Sequence, residues 1–169
     1  MLGRAPVLDF DGTIAVLDVD WVGLRKRLGV TRIDDLWTGR RAADWEIVAR
    51  AETDAARVAE PVETVCAALG DTAVFAVLTS NSERCVRAFF DRWPDLAGRL
   101  VHIAGRETLA GPKSNFARFS RAYRLCAETT ASWRGSNPVV YVGDAAYELA
   151  FAGRLGAFTL HPKDLVKPV

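Results

Sequence analysis

The apolar positions of this 169-residue chain gather into five short runs separated by stretches of helical period. The runs are Pro6–Phe10, Thr72–Leu78, Leu100–Ala104, Pro138–Val142 and Ala157–Leu160. Most are apolar at successive rather than alternate positions, which suits strands covered on both faces. Strand-like runs alternating with helical stretches predict a parallel sheet. The helices carry their own punctuation. Pro61 opens a helix over Val62 to Leu69 and Gly70 closes it. Ser80-Asn81-Ser82-Glu83 fits a capping box, and Asp144 begins a helix that ends near Leu155, before Gly156.

Between residues 18 and 60 the pattern changes. No strand-like run occurs there, and Leu17, Trp21, Leu24 and Leu28 recur at helical spacing. Ala42, Trp45, Ala49 and Ala56 repeat that spacing more weakly. The expected fold is therefore α/β: a Rossmann-like parallel five-stranded sheet with helices on both faces. Residues 1–17 and 61–169 form the core of a single domain, with a small helical cap at about 18–60.

Composition narrows the function classes. Half the residues are hydrophobic and a quarter are charged, enough for a packed core and unlike a disordered chain. Lys and Arg total 22 against 21 Asp and Glu, which argues against nucleic acid or an anionic membrane as the main partner. The three cysteines, Cys66, Cys85 and Cys126, are an odd number with no close pair, so they read as buried reduced thiols. The N-terminal stretch has no apolar signal core and no run is long enough to span a bilayer, so a cytoplasmic location is expected.

Polar residues collect where the first, second and fourth apolar runs end, the edge at which open α/β sheets bind ligands. Asp9 and Asp11 stand two apart at a strand end and project the same way if the strand continues. Two such carboxylates repel unless a cation lies between them. Asp144 adds a third from another strand, and oxygen donors without His or Cys suit Mg²⁺. Gly12-Thr13 and Thr79-Ser80-Asn81 offer backbone N–H groups and hydroxyls, and Lys113 adds positive charge. Together these make a phosphate pocket in which a carboxylate can attack phosphorus.

Asp9-Phe10-Asp11-Gly12-Thr13 resembles the D-x-D-G-T signature of the haloacid-dehalogenase superfamily. Thr79, Lys113 and Gly143-Asp144 follow in that superfamily's order, and the resemblance runs from Val7 to about Leu160. It is similar to phosphoglycolate-phosphatase-like members with a reduced helical cap. The resemblance implies that Asp9 is the nucleophile and a metal ligand. It makes Asp11 the general acid and base, with its backbone carbonyl on the metal. Thr79 and Lys113 then hold phosphoryl oxygens, and Asp144 binds the metal. Contact with a divalent cation and with Lys113 is expected to keep Asp9 ionised. An aspartate at position 11 distinguishes phosphatases from the dehalogenases of the superfamily, which lack this second carboxylate. Where the superfamily often has a second Asp, this chain has Glu148, which either reaches the metal through water or contacts only Lys113.

The expected activity is Mg²⁺-dependent hydrolysis of a small-molecule phosphate ester through an aspartyl phosphate, by a monomer or weak homodimer. The rivals are a phosphosugar mutase, a phosphonate hydrolase and a non-catalytic phosphate-binding regulator. Lys26 between Arg25 and Arg27 is thin support for the Schiff-base lysine a phosphonate hydrolase wants. In the cap, Trp21, Trp37 and Trp45 either pack it onto the core or stack on substrate. Arg25, Arg40 and Arg41 are solvated charges or a clamp for a second anionic group. His102 reads as a hydrogen-bonded core residue, while His161 follows the last strand and is a weak candidate for the site.

Overall fold

Alternation within the strands decides the layers. The computed structural model describes residues 2–3, 5–39 and 42–165. Five parallel strands, β1 (Val7–Leu8), β2 (Phe75–Leu78), β3 (Leu100–Ala104), β4 (Val140–Val142) and β5 (Phe158–Leu160), run in the order β3-β2-β1-β4-β5. Leu8, Phe10, Phe75, Val77 and Val142 point to one face, and Val7, Ala76, Leu78 and Tyr141 to the other. Successive side chains of a strand face opposite ways, so runs apolar at every position require cover on both sides.

That cover is helical. Before β2 lie α1 (Trp21–Leu28), α2 (Leu36–Gly39), α3 (Ala42–Ala56) and α4 (Glu63–Leu69). After it come α5 (Glu83–Phe90), α6 (Pro94–Ala97), α7 (Arg106–Leu109), α8 (Phe116–Thr129), α9 (Ala131–Arg134) and α10 (Ala146–Arg154). Val65 and Leu69 of α4 and Cys85, Val86, Phe89 and Phe90 of α5 close the first face. Phe10 meets Phe89 edge-on there, ring centroids 5.4 Å apart. Phe119, Ala122, Tyr123 and Cys126 of α8 and Ala152 of α10 close the second.

The segment between β1 and β2 is helical, and its packing divides it. Leu24, Leu28, Leu36 and Val48 make a small apolar cluster of their own. The C-terminal end of α3 instead joins the main core through Ala55 and Ala56. Thus α3 is anchored on the body of the protein, and α1 and α2 hang from it.

Several boundaries differ from the expected ones. β1 pairs over two residues only, because the chain turns at Phe10, whose carbonyl accepts from the N–H groups of Thr13, Ile14 and Ala15. The N-cap of α5 is Ser82 itself, accepting from the Cys85 N–H at 3.2 Å, so Glu83 is the first helical residue and no capping box forms. α10 starts at Ala146, leaving Asp144 in the loop before it. His102 lies half-buried on the edge strand β3 with Nε2 unpaired among the described residues. His161 accepts from the Lys163 N–H at 3.0 Å and caps the last short helix. No helix among the described residues is long and apolar enough to cross a membrane.

Burial pushes the Cys66 thiol up to about 11, Cys126 up to about 12 and Cys85 further still. Each is therefore protonated at neutral pH, and the reactive thiolate emerges only as pH climbs toward those values. An aromatic disulfide reagent at pH 8 should react about a hundredfold more slowly with the folded protein than with the unfolded chain. Fast release of one full equivalent from folded protein would contradict this burial.

Candidate active site

The sheet order places the site. β1 is central, with β2 on one side and β4 on the other, so a crevice opens at their C-terminal ends. Asp9 extends the ladder by one bond, its N–H donating to the Val142 carbonyl at 2.8 Å. Thr79 does likewise after β2, bonding the Ala104 carbonyl at 3.0 Å. Asp9, Asp11, Thr79, Ser80, Lys113, Asp144 and Glu148 thereby line one cavity of about 470 Å³.

Lys113 stands at its centre. It lies in the turn ahead of α8, where Asn115 caps the helix by accepting from the Ala117 and Arg118 N–H groups. Lys113 Nζ is 2.5 Å from Asp9 Oδ1 and 2.8 Å from Glu148 Oε2, and all three side chains are nearly fully buried. The Tyr141 hydroxyl donates to Glu148 Oε2 at 2.7 Å and the Tyr147 hydroxyl to Oε1 at 3.0 Å. Glu148 thus holds the lysine, one of the two roles the sequence left open.

One ammonium faces two buried carboxylates. Burial pushes Asp9 up to about 7 against the pull of Lys113, and the charge of Glu148 adds to the rise. Desolvation outweighs one shared cation, so Lys113 without a metal does not hold Asp9 in the ordinary carboxylate range. Lys113 itself is raised, burial being outweighed by its two carboxylate partners. Burial also raises Asp11, and the nearby Asp144 charge pushes the same way.

Two groups of expected phosphate ligands behave differently from the reading. The Gly12 N–H donates to the Ala15 carbonyl at 2.8 Å and the Thr13 N–H to Phe10 at 3.2 Å. Thr13 is fully buried and neither residue lines the cavity, so Gly12 and Thr13 supply no anion-binding amides. Its glycine has another use. Gly12 has φ +79°, and a Cβ there would stand 2.8 Å from Asp144 Cγ. The bare backbone lets the Asp144 carboxylate close over the turn. Asn81 is also engaged internally: its Oδ1 accepts from the Thr79 hydroxyl at 2.8 Å and its Nδ2 donates to Glu52 at 3.1 Å. Ser80 remains exposed to the cavity.

From the helical insertion, Trp21, Arg25, Arg32, Asp34 and Trp37 line the cavity. Trp45 does not; it packs on Trp37 at 4.6 Å between centroids and under the Arg106 guanidinium at 4.5 Å. Arg40 and Arg41 lie outside the described residues.

No family model matches the chain, and no curated protein matches it. Solved structures do. CbbY from Rhodobacter sphaeroides, in complex with phosphate, superposes with a TM-score of 0.60 at 17% identity, over 95% of this chain and 86% of that one. The L-2-haloacid dehalogenase from Xanthobacter autotrophicus gives 0.58 at 18%, covering 93% and 76%. The haloacid dehalogenase-like hydrolase SP0104 from Streptococcus pneumoniae gives 0.60 at 12%, covering 94% and 84%. The fold is that of the haloacid-dehalogenase superfamily.

In that fold the acidic edge can be tested against a hard cation. Among the described residues, no three His, Cys, Asp or Glu side chains gather as a metal site. The Asp11 carboxylate accepts the Leu17 N–H at 2.9 Å, so the donor expected of that residue remains its backbone carbonyl. The donors left for a cation are the Asp9 and Asp144 carboxylates and the Asp11 backbone carbonyl. They are all hard oxygens in a region short of positive charge, and the Gly12 cradle admits Asp144. The residues fit Mg²⁺.

Glu52, Arg106, Tyr141 and Tyr147 were not recognised from the sequence. Glu52 did leave a signal: it falls on the stripe of Trp45, Ala49 and Ala56, the one charged position on a buried face.

Lys113→Met should lower stability by about 3–5 kcal/mol, because two carboxylates would remain buried without their cation. Adding Glu148→Gln should recover part of that loss. Denaturant unfolding of both variants checks this, and a single variant as stable as the parent would contradict it.

Proposed function

We propose that the protein is a Mg²⁺-dependent phosphatase that hydrolyses a small-molecule phosphate monoester through an aspartyl phosphate on Asp9. The carrying observation is Lys113 Nζ, buried and 2.5 Å from Asp9 Oδ1, in a cavity onto which Asp11 also opens. A buried cation against the attacking carboxylate puts positive charge where phosphoryl oxygens would gather.

The chain's own groups divide the chemistry. An Asp9 oxygen attacks phosphorus as the bond to the ester oxygen breaks. Asp11 delivers a proton to that departing oxygen, so the product leaves as an alcohol. The raised affinity of Asp11 for its proton suits this task. Asp11 then takes a proton from water, which attacks phosphorus and releases phosphate and the free Asp9 carboxylate. Lys113 and Ser80 meet the phosphoryl oxygens, and the Thr79 hydroxyl joins them by redirecting its proton from Asn81 Oδ1 while its oxygen stays in place beside the Asn81 N–H. When bound by Asp9, Asp144 and the Asp11 carbonyl, magnesium supplies the charge that keeps Asp9 ionised and offsets phosphate.

Asp11 favours this reading over dehalogenation, the printed activity of some structural neighbours. Halide departs without a proton, whereas an alkoxide needs one. The cavity volume of about 470 Å³ fits a small metabolite.

Aryl phosphate hydrolysis should require Mg²⁺, stop in excess EDTA and return when the metal is restored. Asp11→Asn should lose about 10²–10⁴-fold in turnover and accumulate a phosphate adduct on Asp9, visible by intact-protein mass spectrometry after quenching. Asp9→Asn should form no adduct. Full turnover in EDTA, an adduct on Thr79, or halide release from 2-haloacids without phosphatase activity would overturn the assignment.

A further inference from the structure

Glu52 is a buried carboxylate with every oxygen engaged, and the proposed chemistry does not use it. It projects from α3 and is 1% exposed. Its Oε1 accepts from Asn81 Nδ2 at 3.1 Å and from the Arg106 guanidinium, while Oε2 accepts from the Ser82 N–H at 3.1 Å. Asn81 and Ser82 follow β2, and Arg106 opens α7 after β3, so one carboxylate joins three separate elements. The Arg106 N–H also donates to the Asn81 carbonyl at 2.9 Å, and Trp45 of α3 underlies its guanidinium.

The polarity of this arrangement reaches Thr79. A carboxylate only accepts, so the Asn81 amide must turn its NH₂ toward Glu52 and its Oδ1 toward Thr79. The Thr79 hydroxyl then donates to that oxygen at 2.8 Å, and the Asn81 N–H approaches Thr79 Oγ1 at 3.2 Å. The rotamer of Thr79 is thus set, through Asn81, by a residue 27 positions away that belongs to the helical insertion.

We infer that Glu52 is a positioning residue for the Thr79–Ser82 loop, holding it in the geometry that receives a phosphoryl group. The role in phosphate binding rests on the phosphatase reading; the hold on the loop does not. Because α3 is also seated on the core, the loop is organised in the absence of substrate.

Glu52→Gln tests this. A glutamine amide has one acceptor oxygen, so it can serve Ser82 or the Asn81–Arg106 side but not both. The amide resonances of Thr79, Asn81 and Ser82 should shift in this variant, while those of Tyr141 and Val142 in β4 stay in place. The inhibition constant of inorganic phosphate against aryl phosphate hydrolysis should rise about tenfold or more, as expected for losing a charged hydrogen bond. Asn81→Ala should raise it similarly, and the double variant should lose less than the product of the two effects. If Glu52→Gln only lowers the melting temperature, with the inhibition constant within twofold and the loop resonances unmoved, the carboxylate is a structural tie and the inference is overturned. If the loop resonances shift but the parent protein neither binds phosphate nor hydrolyses the ester, the hold on the loop stands and the phosphatase reading falls.

Discussion

The structure depends on keeping one lysine buried between two carboxylates. Lys113 neutralises Asp9 and Glu148 at once, in a place where an unpaired charge would cost several kcal/mol. Much of the surrounding construction serves that arrangement. Tyr141 from β4 and Tyr147 from α10 complete the hydrogen bonds of Glu148. The capped start of α8 fixes the turn that presents the lysine. Burial lifts Asp9 and the charge of Glu148 adds to the rise, and the site's surplus of negative charge suits a divalent cation.

A second buried ion pair, Glu52 with Arg106, plays a different part at the other end of the cavity. It ties a helix of the insertion to two loops of the core. The insertion is therefore not uniformly a lid. Its α3 half shares the main apolar core, whereas α1, α2 and Val48 keep a cluster of their own. Trp21, Arg25 and Trp37 of the insertion line the cavity, so on the proposed reading they are the residues that meet the substrate, while α3 holds the loop after β2.

Much of this was legible in the linear chain, for a local reason. Apolar runs bounded by polar turn residues report strands and their ends, since both signals act over a few neighbouring positions. Five strands in parallel, a helical insertion after the first, and Asp9, Asp11, Thr79, Lys113 and Asp144 at one edge all follow from such signals. Boundaries were less legible, as at β1, where the Phe10 carbonyl gathers three N–H groups and ends the pairing early.

By itself the sequence determined the architecture, the residue types at the polar edge of the sheet and the class of chemistry they favour. Tertiary structure decided which of those groups are free to act. Gly12 and Thr13 look like an anion-binding turn until their N–H groups are seen bonded to Ala15 and Phe10. Asn81 looks like a phosphate ligand until Glu52, 29 residues earlier, claims its amide. Glu52 and Arg106 are 54 residues apart, and nothing near either one along the chain names its partner. Hydrogen-bond direction and the pairing of buried charges are set by contacts between distant segments, and only folding brings those segments together.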